Sequence, residues 1–285
     1  MAQKVALITG GNTGIGLEAA VGLAEQGDRV VITSRNRDRG RAAVALIRER
    51  VEGADVDVMD LDLASFASIR RFADEFLRGS DRLDVLLNNA GLVLTKRTLT
   101  EDGFEGTFGV NHLGHFFLTS LLLERLKATP GARVINVSSG AHKAARGGLD
   151  FDDLQSEHGY NGFGTYNRSK LANIYFTREL ARRLDGTEVT ANALHPGFVR
   201  SEFARGGDTG RLGSLGIRIA APFAISPKKG ARTSIYLASS PAVADVSGLY
   251  FYKCRPTAVS KAAEDDDAAR RLWEISEQLV ASVPV

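Results

Sequence analysis

Six short apolar runs, each closed by small or polar residues and each followed by a stretch of helical periodicity, divide the chain from Val5 onward. They are Val5 to Ile8, Arg29 to Thr33, Val56 to Met59, Leu83 to Leu87, Arg133 to Val137 and Glu188 to Leu194; a seventh is Leu249 to Tyr252. Runs without polar alternation read as strands buried on both faces. Helices are expected at Leu17 to Gln26, Arg39 to Val51, Ser65 to Leu77, Gly164 to Leu184, Ser226 or Pro227 to Ser239, and Glu264 to Val280. One more, long, is expected from Thr100 or Glu101 through Asn111 to Lys127. Parallel strands need crossovers of this kind. The fold class implied is α/β, a doubly wound parallel sheet of about seven strands with helices on both faces. No linker, repeat or low-complexity segment interrupts residues 1–285, so one domain is expected.

In an open parallel sheet the ligand crevice lies outside the carboxyl ends of the strands. The first strand runs into Thr9-Gly10-Gly11-Asn12-Thr13-Gly14-Ile15-Gly16 and then into a helix. Glycines let the backbone approach phosphate oxygens, and a helix N-terminus presents unpaired N–H groups and a positive dipole end. The spacing Gly-x-x-x-Gly-x-Gly is not a Walker loop, since no Lys-Ser/Thr follows. A tight turn with no ligand is the competing reading. Asn88-Asn89-Ala90-Gly91, Ser138-Ser139-Gly140 and His195-Pro196-Gly197 close later strands on the same edge.

The second strand ends in Ser34-Arg35-Asn36-Arg37. A carboxylate about 20 residues past the glycines marks a site for the ribose hydroxyls of NAD. Here Arg35 stands nineteen residues after Gly16, and a guanidinium suits the 2′-phosphate of NADP. Asp38 reads as the start of the next helix, where it complements the dipole. Solvated loop charge is the competing reading of Arg35 and Arg37.

Tyr166 and Lys170 lie four apart, and Tyr166 is the only one of six tyrosines with Lys at that spacing. On a helix both would share a face. A neighbouring ammonium favours the phenolate and would draw a tyrosine down from its ordinary pKa of about 10 toward working pH. The pair is a candidate acid/base device. Alone, it is weak evidence, since most such pairs are a solvated helix face.

Composition excludes several function classes. A net charge of +2 gives no basic surplus for nucleic acid. No apolar run reaches the roughly 18 residues of a membrane span, and Met1 leads directly into a strand-like run, so no integral membrane segment and a cytoplasmic location are expected. One cysteine, Cys254, excludes an intrachain disulfide. His112 and His115 are three apart without a further ligand cluster, so they read as structural and no metal is expected.

Together, Thr9-Gly10 through Gly14-Ile15-Gly16, Asn88-Asn89-Ala90-Gly91, Asn111, Ser139, Tyr166-x-x-x-Lys170 and Pro196-Gly197 resemble the short-chain dehydrogenase/reductase superfamily, across residues 5 to 201. Ser34-Arg35-Asn36, Asn111-His112-Leu113-Gly114-His115-Phe116, Phe151-Asp152-Asp153-Leu154, Lys170-Leu171-Ala172-Asn173 and Leu272-Trp273 resemble its retinol dehydrogenase and WW-domain oxidoreductase branch. The resemblance implies a Rossmann-like fold and an enzyme acting on CH–OH groups. It implies Tyr166 as general acid/base, Lys170 holding the nicotinamide ribose, Ser139 rather than Ser138 bonding the substrate oxygen, and Asn111 anchoring a water linked to Lys170. It implies a cofactor, NADP in preference to NAD, lying against Gly10, Asn12, Thr13, Gly14, Ile15, Gly16, Arg35, Asp62, Leu63, Asn89, Ala90, Gly91, Tyr166, Lys170, Pro196, Gly197 and Val199.

The substrate must be read from Phe198 to Ile225, where Gly206, Gly207, Gly210, Gly213 and Gly216 alternate with Phe203, Leu212, Leu215, Ile217 and Phe223. Glycine hinges among apolar residues suit a lid over a lipophilic alcohol or carbonyl compound; a surface loop or partner contact is the alternative. Residues 141 to 163 are expected to build the opposite wall. A non-catalytic dinucleotide sensor on the same fold is the second function class, although such a protein needs no Ser139, Tyr166 and Lys170 together. A homo-oligomer stays open.

Overall fold

The computed structural model describes residues 3–199 and 224–283. The strands are β1 (Val5–Ile8), β2 (Arg29–Ser34), β3 (Val56–Asp60), β4 (Val85–Asn88), β5 (Arg133–Val137), β6 (Thr190–Leu194), β7 (Tyr250–Tyr252) and β8 (Arg255–Pro256). Among the described residues they form one sheet in the order β3-β2-β1-β4-β5-β6-β7-β8. All neighbours are parallel except β7 and β8. The eighth strand is a correction to the expected seven. It is two residues long and contains a proline, which belongs on a sheet edge because it cannot donate to a ladder. Lys253 and Cys254, both at positive φ, make the tight turn into it.

The helices are α1 (Gly14–Ala24), α2 (Arg37–Arg50), α3 (Phe66–Gly79), α4 (Gly106–Phe108), α5 (Gly114–Lys127), α6 (Gly162–Arg183), α7 (Pro227–Ser239) and α8 (Asp266–Ala281). Side chains of Asn36, Ser65, Asn161, Ser226 and Asp265 accept from first-turn amides of α2, α3, α6, α7 and α8. Such caps contribute about 1 kcal/mol each.

The long helix expected from Thr100 starts six residues later. Leu99 bridges Glu105, and the buried Glu105 carboxylate accepts from Thr107 N at 2.8 Å and Phe108 N at 2.7 Å, which sets the start at Gly106. Between α4 and α5 the chain takes a π-helical turn, Gly109–Leu113, that carries Asn111.

Successive strand residues face opposite layers, as the period of two requires. Leu7, Val31, Leu86 and Val134 join one core with residues of α3, α5, α6 and α8. Ala6, Ile8, Val30, Ile32, Leu87 and Ile135 join the other with α1, α2 and α7. Trp273 of α8 packs edge-on against Phe116 of α5 at 4.9 Å and stacks on Phe176 of α6 at 5.8 Å, so the C-terminal helix covers the catalytic-side helices. The strand order reverses between β1 and β4, which places the crevice above those two strands. Of the expected lid, residues 200–223 lie outside the described residues. Among the described residues no helix is long and apolar enough to cross a membrane.

Candidate active site

A cleft of about 1250 Å³ opens at the carboxyl edge of the sheet. Drug-sized ligand sites span roughly 300–1,000 Å³, so this one has room for a dinucleotide and a second molecule. Of the residues expected at the site, all but Asn111 line it.

At one end is the glycine turn. Gly14 has φ +57, a left-handed conformation costly for any side chain. A Cβ on Gly16 would lie 2.5 Å from Gly10 O and 2.6 Å from Asn89 Nδ2, so backbone closeness excludes every other residue. Thr13, at the cap of α1, makes no side-chain bond to the helix amides. Those N–H groups therefore face the cleft with no capping side chain on them, a cradle suited to phosphate. The Thr9 hydroxyl fastens the neighbouring turn: Asn89 N donates to it at 2.9 Å and Ala90 N at 3.0 Å.

Arg35, Asn36 and Arg39 line the same end. Arg37 does not contribute, because it pairs with Asp60 at the end of β3. Neither Arg35 nor Arg39 has a carboxylate partner among the described residues. Asp62 lines the cleft while its carboxylate accepts from Ala64 N at 2.9 Å. The residues present thus fit a dinucleotide carrying an additional phosphate.

At the other end Ser139, Tyr166 and Lys170 converge. The Ser139 side chain stands beside the Tyr166 phenol, close enough to act on its pKa. Ser138 is committed elsewhere, donating to Lys170 O at 2.6 Å. Lys170 Nζ donates to Val137 O at 3.0 Å and lies 5.7 Å from the centre of the Tyr166 ring. Burial pushes the Lys170 ammonium down to about 8. Burial raises Tyr166 above its ordinary value, against a lowering by the Ser139 side chain. The downward pull expected from Lys170 is not found in this structure; desolvation sets the direction.

Asn111 stands behind this wall. Its Oδ1 accepts from Leu92 N at 2.8 Å, and its Nδ2 donates to Leu92 O at 2.9 Å and Ser169 Oγ at 3.0 Å. Its carbonyl lies 3.1 Å from His115 Nδ1. A carbonyl only accepts, so Nδ1 carries the proton and His115 Nε2 accepts from Thr9 Oγ1 at 2.9 Å. His112 meets Ser276 of α8 at 2.8 Å. Both histidines are engaged within the fold, and among the described residues no three His, Cys, Asp or Glu converge as for a metal.

Sequence reasoning missed several lining residues, among them Arg39, Leu92, Val93 and Tyr252. Phe163, the last residue of the expected wall, and Phe198, the first of the expected lid, both line the cleft. Phe163 and Phe198 are each 51% exposed. On the opposite wall, Tyr160 donates to Leu94 O and Glu105 Oε1, both at 3.1 Å, which fastens the segment before α6.

The short chain dehydrogenase family model matches residues 4–150. The chain is 47% identical over 294 residues to retinol dehydrogenase 14 of Homo sapiens, covering 98% of this chain and 87% of that protein. The chain belongs to the short-chain dehydrogenase family. Within that family it is retinol dehydrogenase-like and an oxidoreductase, and its fold takes a nicotinamide dinucleotide. Two solved structures of this dehydrogenase's fold are similar over most of their length. An uncharacterized protein from Mycobacterium Paratuberculosis has a TM-score of 0.79 at 36% identity, covering 100% of this chain and 96% of that one. Pseudomonas aeruginosa RhlG, in an active-site complex with NADP, has a TM-score of 0.69 at 29% identity, covering 88% and 94%.

Proposed function

We propose that this dehydrogenase interconverts a lipophilic alcohol and its aldehyde or ketone, using NADP(H). The observation that carries the reading is the convergence of Ser139 and Tyr166 on the cleft wall, with the buried Lys170 beside them. When bound, the nicotinamide supplies or accepts the hydride. Tyr166 takes the hydroxyl proton of an alcohol in oxidation and returns a proton to the oxygen in reduction. Ser139 donates to the same oxygen, so charge developing there meets two fixed donors. Lys170, an ammonium below about pH 8, favours the phenolate and holds the ribose. Asn111 fixes the turn at Leu92 and would anchor a water linked to Lys170.

Two further features support the finer reading. Arg35 and Arg39, without carboxylate partners among the described residues, favour a 2′-phosphate. Phe163 and Phe198 at the cleft, beside Leu92 and Val93, favour an apolar substrate body. The test is NADPH consumption across straight-chain aldehydes and ketones of increasing length. Turnover should improve with chain length. A protein that binds NADPH but consumes none with any member of the series would overturn the proposal.

A further inference from the structure

Ser139 has a partner that the reaction does not name. His142 stands three residues beyond it in a 3₁₀ turn, Gly140–Ala144, and is fully buried. Its Nδ1 lies 2.7 Å from Ser139 O, and its backbone N donates to the same carbonyl at 3.2 Å. On its far side Ser260 N donates to Nε2 at 3.2 Å. These contacts decide the tautomer. Ser139 O can only accept, so Nδ1 carries the proton; Ser260 N–H can only donate, so Nε2 is bare. Burial favours this neutral ring. Tyr250 packs edge-on against it at 5.1 Å, which leaves the imidazole little room to turn.

The Ser139 hydroxyl is oriented by the same turn. Its Oγ accepts from Ala141 N at 3.1 Å, so its proton is the group left to point at Tyr166 and a substrate oxygen. A shift of the Ser139 backbone would therefore move the reacting donor. Ser260 belongs to the segment that leads into α8 and is tied down nearby, where Tyr175 donates to Ala262 O at 2.6 Å.

We propose that His142 is a positioning residue for Ser139: a tautomer-locked imidazole that couples the segment around Ser260 to the catalytic serine. The inference rests on the role given to Ser139 above. Removing the lock should leave cofactor contacts alone and lower the rate, since small misplacements of a reacting group cost up to about 10²-fold.

Three substitutions test it in the full chain, read by kcat, KM, NADPH affinity from fluorescence titration, and Tm. His142→Leu removes the ring contacts to Ser139 O, Ser260 N and the Tyr250 hydroxyl and should lower kcat by about 10- to 10²-fold with NADPH affinity unchanged. His142→Asn keeps an N–H donor in reach of Ser139 O and should restore most of that loss. Ser260→Pro deletes the N–H on the far side together with a buried hydroxyl that has no hydrogen-bond partner among the described residues, at a residue whose φ of −72 proline accepts. It should lower kcat several-fold in the parent and have no effect in the His142→Asn background, where the imidazole is gone. Should His142→Leu not fold, the Ser260→Pro pair decides alone. Equal kcat loss in the Leu and Asn variants would show that His142 only fills volume. Loss of Tm at parental kcat, or a Ser260→Pro effect that persists without the imidazole, would also overturn the inference. Ser139→Ala separates the two readings. If it is fully active, the role of Ser139 itself is wrong. If it is inactive while His142→Leu turns over at the parental rate, only the role of His142 falls.

Discussion

At the phosphate end of the cleft the groups that meet a ligand are main-chain amides of the Gly10–Gly16 turn and guanidiniums on the surface. At the chemical end they are side chains from the turn after β5 and from α6, half-buried or buried, backed by the π-helical turn. Lys170 is 4% exposed and Asn111 not at all, whereas Arg35 lies in the exposed class. The first end is written into the local backbone, so a glycine pattern suffices to make it. The second exists only once distant segments have packed, and it carries charged and titratable groups inside the fold. Substitutions at the two ends should therefore fail in different ways.

The largest effect is expected at the buried end. Tyr166→Phe keeps the ring and removes the proton, and general acid/base groups contribute about 10² to 10⁴ in rate. Turnover should fall by at least the lower figure while NADPH affinity barely changes. Lys170→Met should stop turnover and weaken NADPH binding too. It should also stabilise the protein. Burial holds Lys170 at about 8, below its ordinary value of 10.5, so at pH 7 the fold carries the whole penalty of a buried ammonium. Its removal should raise the unfolding free energy at pH 7 by up to about 3 kcal/mol. Denaturant titration checks this; a Lys170→Met protein less stable than the parent would mean that the bond to Val137 O outweighs desolvation. Parental turnover in Tyr166→Phe would remove the chemical end from the comparison.

A second effect separates the ends by pH. His112 and His115 sit behind the chemical end, held by burial at about 3 and about 4 against an ordinary value of 6.5. The unfolded chain binds more protons than the native one between those values, so stability falls as pH drops from 6.5 toward 3. The two rings together should remove roughly 5 kcal/mol by pH 4. Protonation of His115 would also set an N–H against the Thr9 hydroxyl that already receives Asn89 N and Ala90 N. Urea midpoints at pH 7, 5 and 4 read the slope. A His112→Leu variant should flatten it whatever its plateau, and an unchanged slope would assign acid lability to other groups.

The difference between the ends also explains what the sequence makes legible. Strand β1 is a contiguous apolar run and β5 a largely apolar one, and their bounds agree with the structure residue for residue. The Gly10–Gly16 turn is equally local. The start of α4 was misplaced because the deciding group is the buried carboxylate of Glu105, whose burial depends on Tyr160 and Gln155 fifty residues away. The π-helical turn and β8 left no periodic signal, the latter being two residues with a proline. His142 was invisible for the same reason as the Asn111 contacts. Nothing in the spacing of Ser139, His142 and Ser260 shows that a chain segment returns to meet the imidazole from the other side. Arg39 was absorbed into a helix pattern, though a helix start beside a glycine turn is where a second cation for an anionic ligand can stand.

The smallest effect is expected at the phosphate end, and salt is what exposes it. Arg35 lies at the cleft with solvent on its other side, so a contact to a 2′-phosphate would be a charge-assisted bond worth about 1.5–3 kcal/mol at most and open to screening. Arg35→Asp should weaken NADPH binding by roughly 10- to 10²-fold and leave NADH binding equal or better, since a carboxylate there can accept from ribose hydroxyls. Arg39→Ala should do the same more weakly. Raising ionic strength from 0.01 to 0.15 M shortens the Debye length from about 30 to about 8 Å. NADPH affinity should fall over that range more steeply than NADH affinity, and the difference between the two slopes should shrink in Arg35→Asp. The rate at saturating cofactor should not move, because Arg35 and Arg39 stand at the other end of the cleft from Ser139, Tyr166 and Lys170. Titration calorimetry with both cofactors at the two salt concentrations measures each term. Equal affinity of the parent for NADPH and NADH, with equal slopes, would show that Arg35 is solvated loop charge and that the exposed end contributes phosphate cradling through its backbone alone.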